Sequence, residues 1–240
     1  MRWSTWKSRK RPDWPEYMSE RARRVKHPLL RDFFSAAPLD PETPVGEVPM
    51  VALDLETTGL DATRHDIVSI GLVPFRLERI PMRESRYWVV SPRRKLSNKS
   101  VTFHHITHSE VAQAPDLSDV LDDVMGMLKG RLVVVHYRHI ERPFLDLALR
   151  ERLGEGAVFP VIDTMGLEAR LHRRRRWVWL RRMAGRPPAS IRLFESRQRY
   201  NLPIYQGHHA LGDALATAEL LQAQVAFHHS PDTPIRRLWS

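Results

Sequence analysis

Asp54 and Glu56 stand two positions apart at the end of an apolar run, Val51-Ala52-Leu53-Asp54-Leu55-Glu56-Thr57-Thr58-Gly59-Leu60. Side chains on a strand alternate faces, so both acids project to one side with Cα atoms about 7 Å apart, where the strand leaves the core. Carboxylates held that close repel. Either one takes a proton or a cation sits between them, and hard divalent ions such as Mg²⁺ suit an all-oxygen site. Thr57, Thr58 and Gly59 then make a tight turn whose backbone N–H groups are placed to face a phosphate. An isolated Asp-x-Glu pair also arises on many exposed strands, so the pair needs further partners to mean chemistry.

A third acid lies far along the chain, in His208-His209-Ala210-Leu211-Gly212-Asp213-Ala214-Leu215-Ala216-Thr217-Ala218. An aspartate on so apolar a helix is costly unless it binds a cation or caps something, which favours a metal role for Asp213. His208 precedes it by five positions, and at about 100° per residue the two side chains would fall on different faces of one helix. His208 must therefore reach the same place from the preceding loop. An imidazole there can exchange protons near neutral pH; a histidine that only caps or packs under the helix is the plain alternative.

The net charge of +10 has a local source: residues 170–199 hold eleven arginines and one acid, Glu195. Such concentration suits a polyanion, because neutralising phosphates releases counterions, although a basic face kept for solubility has the same composition. Within that block Trp177 and Trp179 lie between Arg173–Arg176 and Arg181–Arg182. That pattern fits phosphate contact plus base stacking, or two anchors for a surface helix. Zero cysteines exclude a disulfide framework, a thiolate zinc site and a cysteine nucleophile. No run reaches the roughly 18 apolar residues of a membrane span, and the N-terminus lacks the apolar core of a secretory signal. A cytoplasmic protein is expected.

The elements needed to position these residues follow from periodicity. Short apolar runs at 50–53, 67–75 and 86–90 read as three strands in a meander, with further strands at 132–135 and 158–162. Helical spacing marks 116–128, 190–200 and 209–226, and 143–152 with Pro143 in its first turn. Strands alternating with helices imply a layered α/β domain. Residues 1–48 are rich in Arg, Pro and Trp, with short helices at 19–26 and 28–34, and three prolines at 38–44 read as a linker. The expected division is a basic N-terminal extension and linker over 1–48, a catalytic domain over 49–228 and a tail over 229–240.

Asp54-x-Glu56-Thr57-Thr58-Gly59-Leu60, the segment from His136 to Leu145, and His208-x-Ala210-x-x-Asp213-Ala214 together resemble the three motifs of the DEDDh exonucleases. This is the superfamily of the bacterial polymerase III epsilon proofreading subunit. Phe103-His104-His105-Ile106-Thr107 is similar to the short His-Gly-Ile-Thr element between the first two motifs. The likeness covers about residues 49–226. The first and third motifs are specific and the middle one is degenerate: where the family usually has His-Asn-x-x-Phe-Asp, this chain has His136-Tyr137-x-x-Ile140-Glu141.

The resemblance implies a ribonuclease H-like fold, a central mixed five-stranded sheet flanked by helices, and 3′→5′ exonuclease activity releasing nucleoside 5′-monophosphates. It further implies two divalent ions, Mg²⁺ or Mn²⁺, on Asp54, Glu56, Glu141 and Asp213, with His208 as general base. Thr57, Thr58, Leu60 and His104 would contact the terminal nucleotide. Glutamate at 141 keeps the charge and lengthens the arm by one methylene, although a helix-terminal acid would also fit there. The implied partners are nucleic acid, DNA ahead of RNA, and a polymerase or other protein. The competing expectation is a catalytically impaired exonuclease fold acting as a nucleic-acid-binding or adaptor protein.

Overall fold

The computed structural model describes residues 12–36, 40–94, 106–173, 183, 185 and 187–240. The apolar runs become β1 (Met50–Thr57), β2 (Ile67–Phe75), β3 (Arg86–Val89), β4 (Leu132–Val135) and β5 (Val161–Asp163). They form one sheet of order β3-β2-β1-β4-β5. The first three strands are an antiparallel meander, whereas β4 joins β1, and β5 joins β4, in parallel. Parallel pairs need long crossovers, and helices supply them.

The helices among the described residues are α1 (Trp14–Arg24), α2 (Pro28–Ser35), α3 (His108–Gln113), α4 (Leu117–Leu128), α5 (Arg138–Leu153), α6 (Thr164–His172), α7 (Leu193–Arg199) and α8 (Ala210–His228). All of β2 is buried, as expected for a sheet covered on both faces. Val51, Leu53 and Leu55 of β1 pack into one layer with Leu121 and Val124 of α4 and Leu145 of α5. The alternate residues Met50 and Ala52 enter the opposite layer, against Ala214, Ala218 and Leu221 of α8. By the same alternation, Asp54 and Glu56 continue the α8 face.

The segment before residue 49 shares this core. Leu30, Phe33 and Phe34 are buried in the first layer and Trp14 in the second, each such burial contributing about 1.5–3 kcal/mol. Glu155 receives the backbone N–H groups of Lys26 and His27 at 2.8 and 2.9 Å, closing the turn between α1 and α2. At the other end Ile235, Leu238 and Trp239 fill the second layer.

One helix differs from the expectation in a way that matters for the site. α5 starts at Arg138, five residues before the 143–152 expected, and Pro143 lies inside it. Tyr137 takes a left-handed conformation, φ 95° and ψ 72°, and gives its N–H to Asp163 Oδ1 at 3.0 Å. That contact turns the chain into the helix early, so Glu141 falls in its first turn. The apolar periodicity starts only with Phe144 because the first turn carries polar groups.

Candidate active site

β1 delivers Asp54 and Glu56 to the C-terminal end of the sheet on the face covered by α8. The register slips between Glu56 and Thr57, a bulge of the kind that re-aims a side chain at a strand end. Asp54 pairs with Gly71 of β2. A Cβ at Gly71 would lie 2.2 Å from the carbonyl oxygen of Ala210, the first residue of α8. Only a residue without a side chain lets the start of α8 come this near, and Asp213 comes with it.

Asp213 sits one turn into α8, and its Oδ2 accepts the backbone N–H of His208 at 2.9 Å. His208 lies outside the helix, as its spacing required, in a left-handed conformation with φ 65°. Potential ligand atoms of Glu56, His208 and Asp213 lie within 4.8 Å of one another. His209 caps α8 by accepting from Gly212 N–H and stacks on Tyr87 of β3, ring centres 4.6 Å apart. The edge strand thus braces the segment that carries His208.

Glu141, on α5, adds its charge to that felt by Asp54 but stands outside the Glu56, His208 and Asp213 group. It is buried, and its Oε2 has no hydrogen-bond partner among the described residues. A carboxylate oxygen left bare in the interior costs free energy unless it is protonated or meets a cation. Nearby Asp163, at the end of β5, was not singled out by sequence. It caps α6 through Gly166 N–H, takes Tyr137 N–H and pairs with Arg138 at 3.0 Å. The available signal was an aspartate closing an apolar run just before a helix, a capping pattern.

The electrostatics agree with the crowding. Burial, then the charges of Asp213, Glu56 and Glu141, drives Asp54 well above the usual carboxylate range. Glu56 is pushed up to about 8, by burial first and Asp213 second. Burial also raises Asp213, although the His208 N–H opposes this. Burial holds Glu141 well above its ordinary value, with Asp163 adding to it. Glu56 and Asp213 beside the His208 imidazole, with the reluctant carboxyl of Asp54 next to them, fit a divalent cation, which would compensate their charge. His136, by contrast, is buried with Nδ1 2.8 Å from Thr164 Oγ1 and is pushed down to about 4, so it stays neutral and fastens β4 to α6.

The loop after β1 is tightly laced. Thr57 Oγ1 donates to Gly59 O at 2.7 Å. Thr58 gives its N–H to Asp66 O, and its Oγ1 receives Asp66 N–H. Thr58 is buried, so both of these groups prop the loop. Leu60, at the tip, is 83% exposed. His104 and residues 174–182 of the basic block lie outside the described residues.

A mixed five-stranded sheet flanked by helices, with acids at the mouth of its central strand, is a ribonuclease H-like fold. The Exonuclease family model, RNase_T, matches residues 51–221, and the chain belongs to that family. It is 28% identical over 182 residues to the PolC-type DNA polymerase III of Thermotoga maritima, covering 76% of this chain and 12% of that one. It is 25% identical to the DNA polymerase III subunit epsilon of Treponema pallidum, covering 75% of this chain and 78% of the relative. The chain thus spans about an eighth of the PolC-type relative. Its fold matches that of the nuclease domain of 3′hExo, a DEDDh family member bound to rAMP. The TM-score is 0.62 at 14% identity, covering 79% of this chain and 96% of that one. Among the described residues no helix is long and apolar enough to cross a membrane.

Proposed function

We propose that this protein is a metal-dependent exonuclease that removes nucleotides from the 3′ end of nucleic acid and releases nucleoside 5′-monophosphates. What supports this reading is the grouping of Glu56, Asp213 and His208 within 4.8 Å, next to Asp54, whose ionisation is opposed by the charges of Asp213, Glu56 and Glu141. Asp54, Glu56 and Asp213 would hold divalent metal, Mg²⁺ or Mn²⁺, and Glu141 would complete the set for a second ion. Bound there, two such ions supply activation of a water and stabilisation of the leaving 3′ oxygen.

The protein groups have separate tasks. His208 takes the proton of the attacking water. Its left-handed backbone and its N–H bond to Asp213 hold the imidazole beside the carboxylates rather than on the helix. Leu60 would press on the terminal base, a role its exposure at the loop tip supports, while the laced Thr57–Thr58 turn keeps that loop rigid. His104 is assigned to the same nucleotide on the sequence resemblance alone. The names of the polymerase III relatives support DNA as substrate and a polymerase as partner.

The test is digestion of end-labelled single-stranded DNA and RNA with Mg²⁺, Mn²⁺ or EDTA. Mononucleotides should accumulate from the 3′ end only with metal, and Asp54→Ala should abolish the activity. Full activity in EDTA, or in Asp54→Ala, would sink the assignment.

A further inference from the structure

A cavity of about 400 Å³ opens at the end of the sheet away from the carboxylates, where β1 begins and β2 ends. Four arginines line it: Arg76 just past β2, Arg79 closing the next turn, Arg83 on the 3₁₀ turn Met82–Glu84, and Arg131 just before β4. Met50 and Phe75 are paired at this end of β1, so the cavity lies six strand residues, about 20 Å, from Glu56.

Two of its cations are held by carbonyls rather than by acids. Arg76 Nη1 donates to Glu47 O at 2.9 Å and Arg131 Nη1 to Met127 O at 2.8 Å. A carbonyl orients a guanidinium but leaves its charge. Glu78 and Glu84 share the wall, with Glu84 only 3.9 Å from the adjacent Arg83, so the lining keeps an excess of two positive charges. The scaffold is preformed: Arg76 and Arg79 exchange backbone hydrogen bonds at 2.9 and 3.1 Å, and Gln222 of α8 grips Leu77 O at 2.9 Å.

We propose that this cavity is a phosphate-binding site. The fork of a guanidinium matches a phosphate bidentately, and several such groups around one concavity, two of them already oriented by carbonyls, favour a multiply charged phosphoanion over a lone chloride or carboxylate. The phosphate belongs either to a nucleic-acid backbone held away from the cut or to a small free phosphate compound. The site uses none of the carboxylates, so it stands whether or not the proposed cleavage does.

Calorimetric titration with inorganic pyrophosphate, in EDTA and low salt, tests it on the full chain. Arg79→Gln/Arg83→Gln removes two exposed guanidiniums. The native protein should bind, and the variant should weaken at least tenfold or lose one bound equivalent; Arg79→Lys/Arg83→Lys, which keeps the charge, should lose less. If the double glutamine variant melts early by circular dichroism, Arg79→Gln alone reads the same effect. A second arm measures binding of a single-stranded oligothymidylate in EDTA. A backbone site predicts weaker binding and a shallower salt slope, by about 0.7 per lost phosphate contact. Loss of pyrophosphate binding with the oligonucleotide unchanged assigns the site to a free phosphate. No pyrophosphate binding by the native protein, or equal binding by native and glutamine variant, overturns the proposal.

Discussion

Glu56→Gln separates the electrostatic cost of the cluster from its use. The native carboxyl is pushed up to about 8 from an ordinary 4.5, by partial burial first and the charge of Asp213 second. Between those two values the folded protein binds a proton that the unfolded chain has released, so stability falls as pH rises through this window. One unit is worth 1.36 kcal/mol, which sets a ceiling of about 4 kcal/mol lost by pH 8. Glu56 is partly open to solvent, so the realised loss is smaller. Glutamine has the shape of the protonated form and no charge to suppress. In EDTA, thermal melts at pH 4 should give native and variant the same Tm. At pH 8 the variant should melt higher, by up to roughly 10 °C at about 2–4 °C per kcal/mol. Saturating Mg²⁺ should raise the native protein far more than the variant, since only the native set ionises fully around a cation. Parallel Tm curves across pH 4 to 8 in EDTA would refute the account of a cluster strained by its own charge.

Three other expectations test separate links. His208→Ala should lower kcat about a hundredfold or more while leaving metal-induced stabilisation intact, read by single-turnover kinetics beside melts with and without Mg²⁺. Gly71→Ala places a methyl 2.2 Å from Ala210 O and should cost about 1–3 kcal/mol in urea unfolding while depressing activity, because α8 and Asp213 must shift. Unchanged kcat with reduced stability would mean that Asp213 tolerates that shift. Tyr137→Asn relieves a left-handed aromatic residue at φ 95° and should gain about 1 kcal/mol in the same assay with an unchanged m-value; a net loss would show that the ring contact of Tyr137 with His139 outweighs the strain.

Much of the site could be read from spacing because the periods of strand and helix are local. Alternation along β1 put Asp54 and Glu56 on one face, and the five-residue gap from His208 to Asp213 forced the histidine off the helix; both hold in the fold. The same periodicities located the five strands and the long final helix to within a few residues. What depends on contact between distant segments was not legible. Nothing local says that Gly71 is empty so that α8 can descend on β1, or that Asp163 will capture Tyr137 N–H and start α5 early enough to bring Glu141 inward. Likewise the Arg, Pro and Trp content before residue 49 looks like an appendage, yet Trp14, Phe33 and Phe34 complete the two core layers. Composition records which groups a segment carries; whether they are buried is decided only when another surface arrives to cover them.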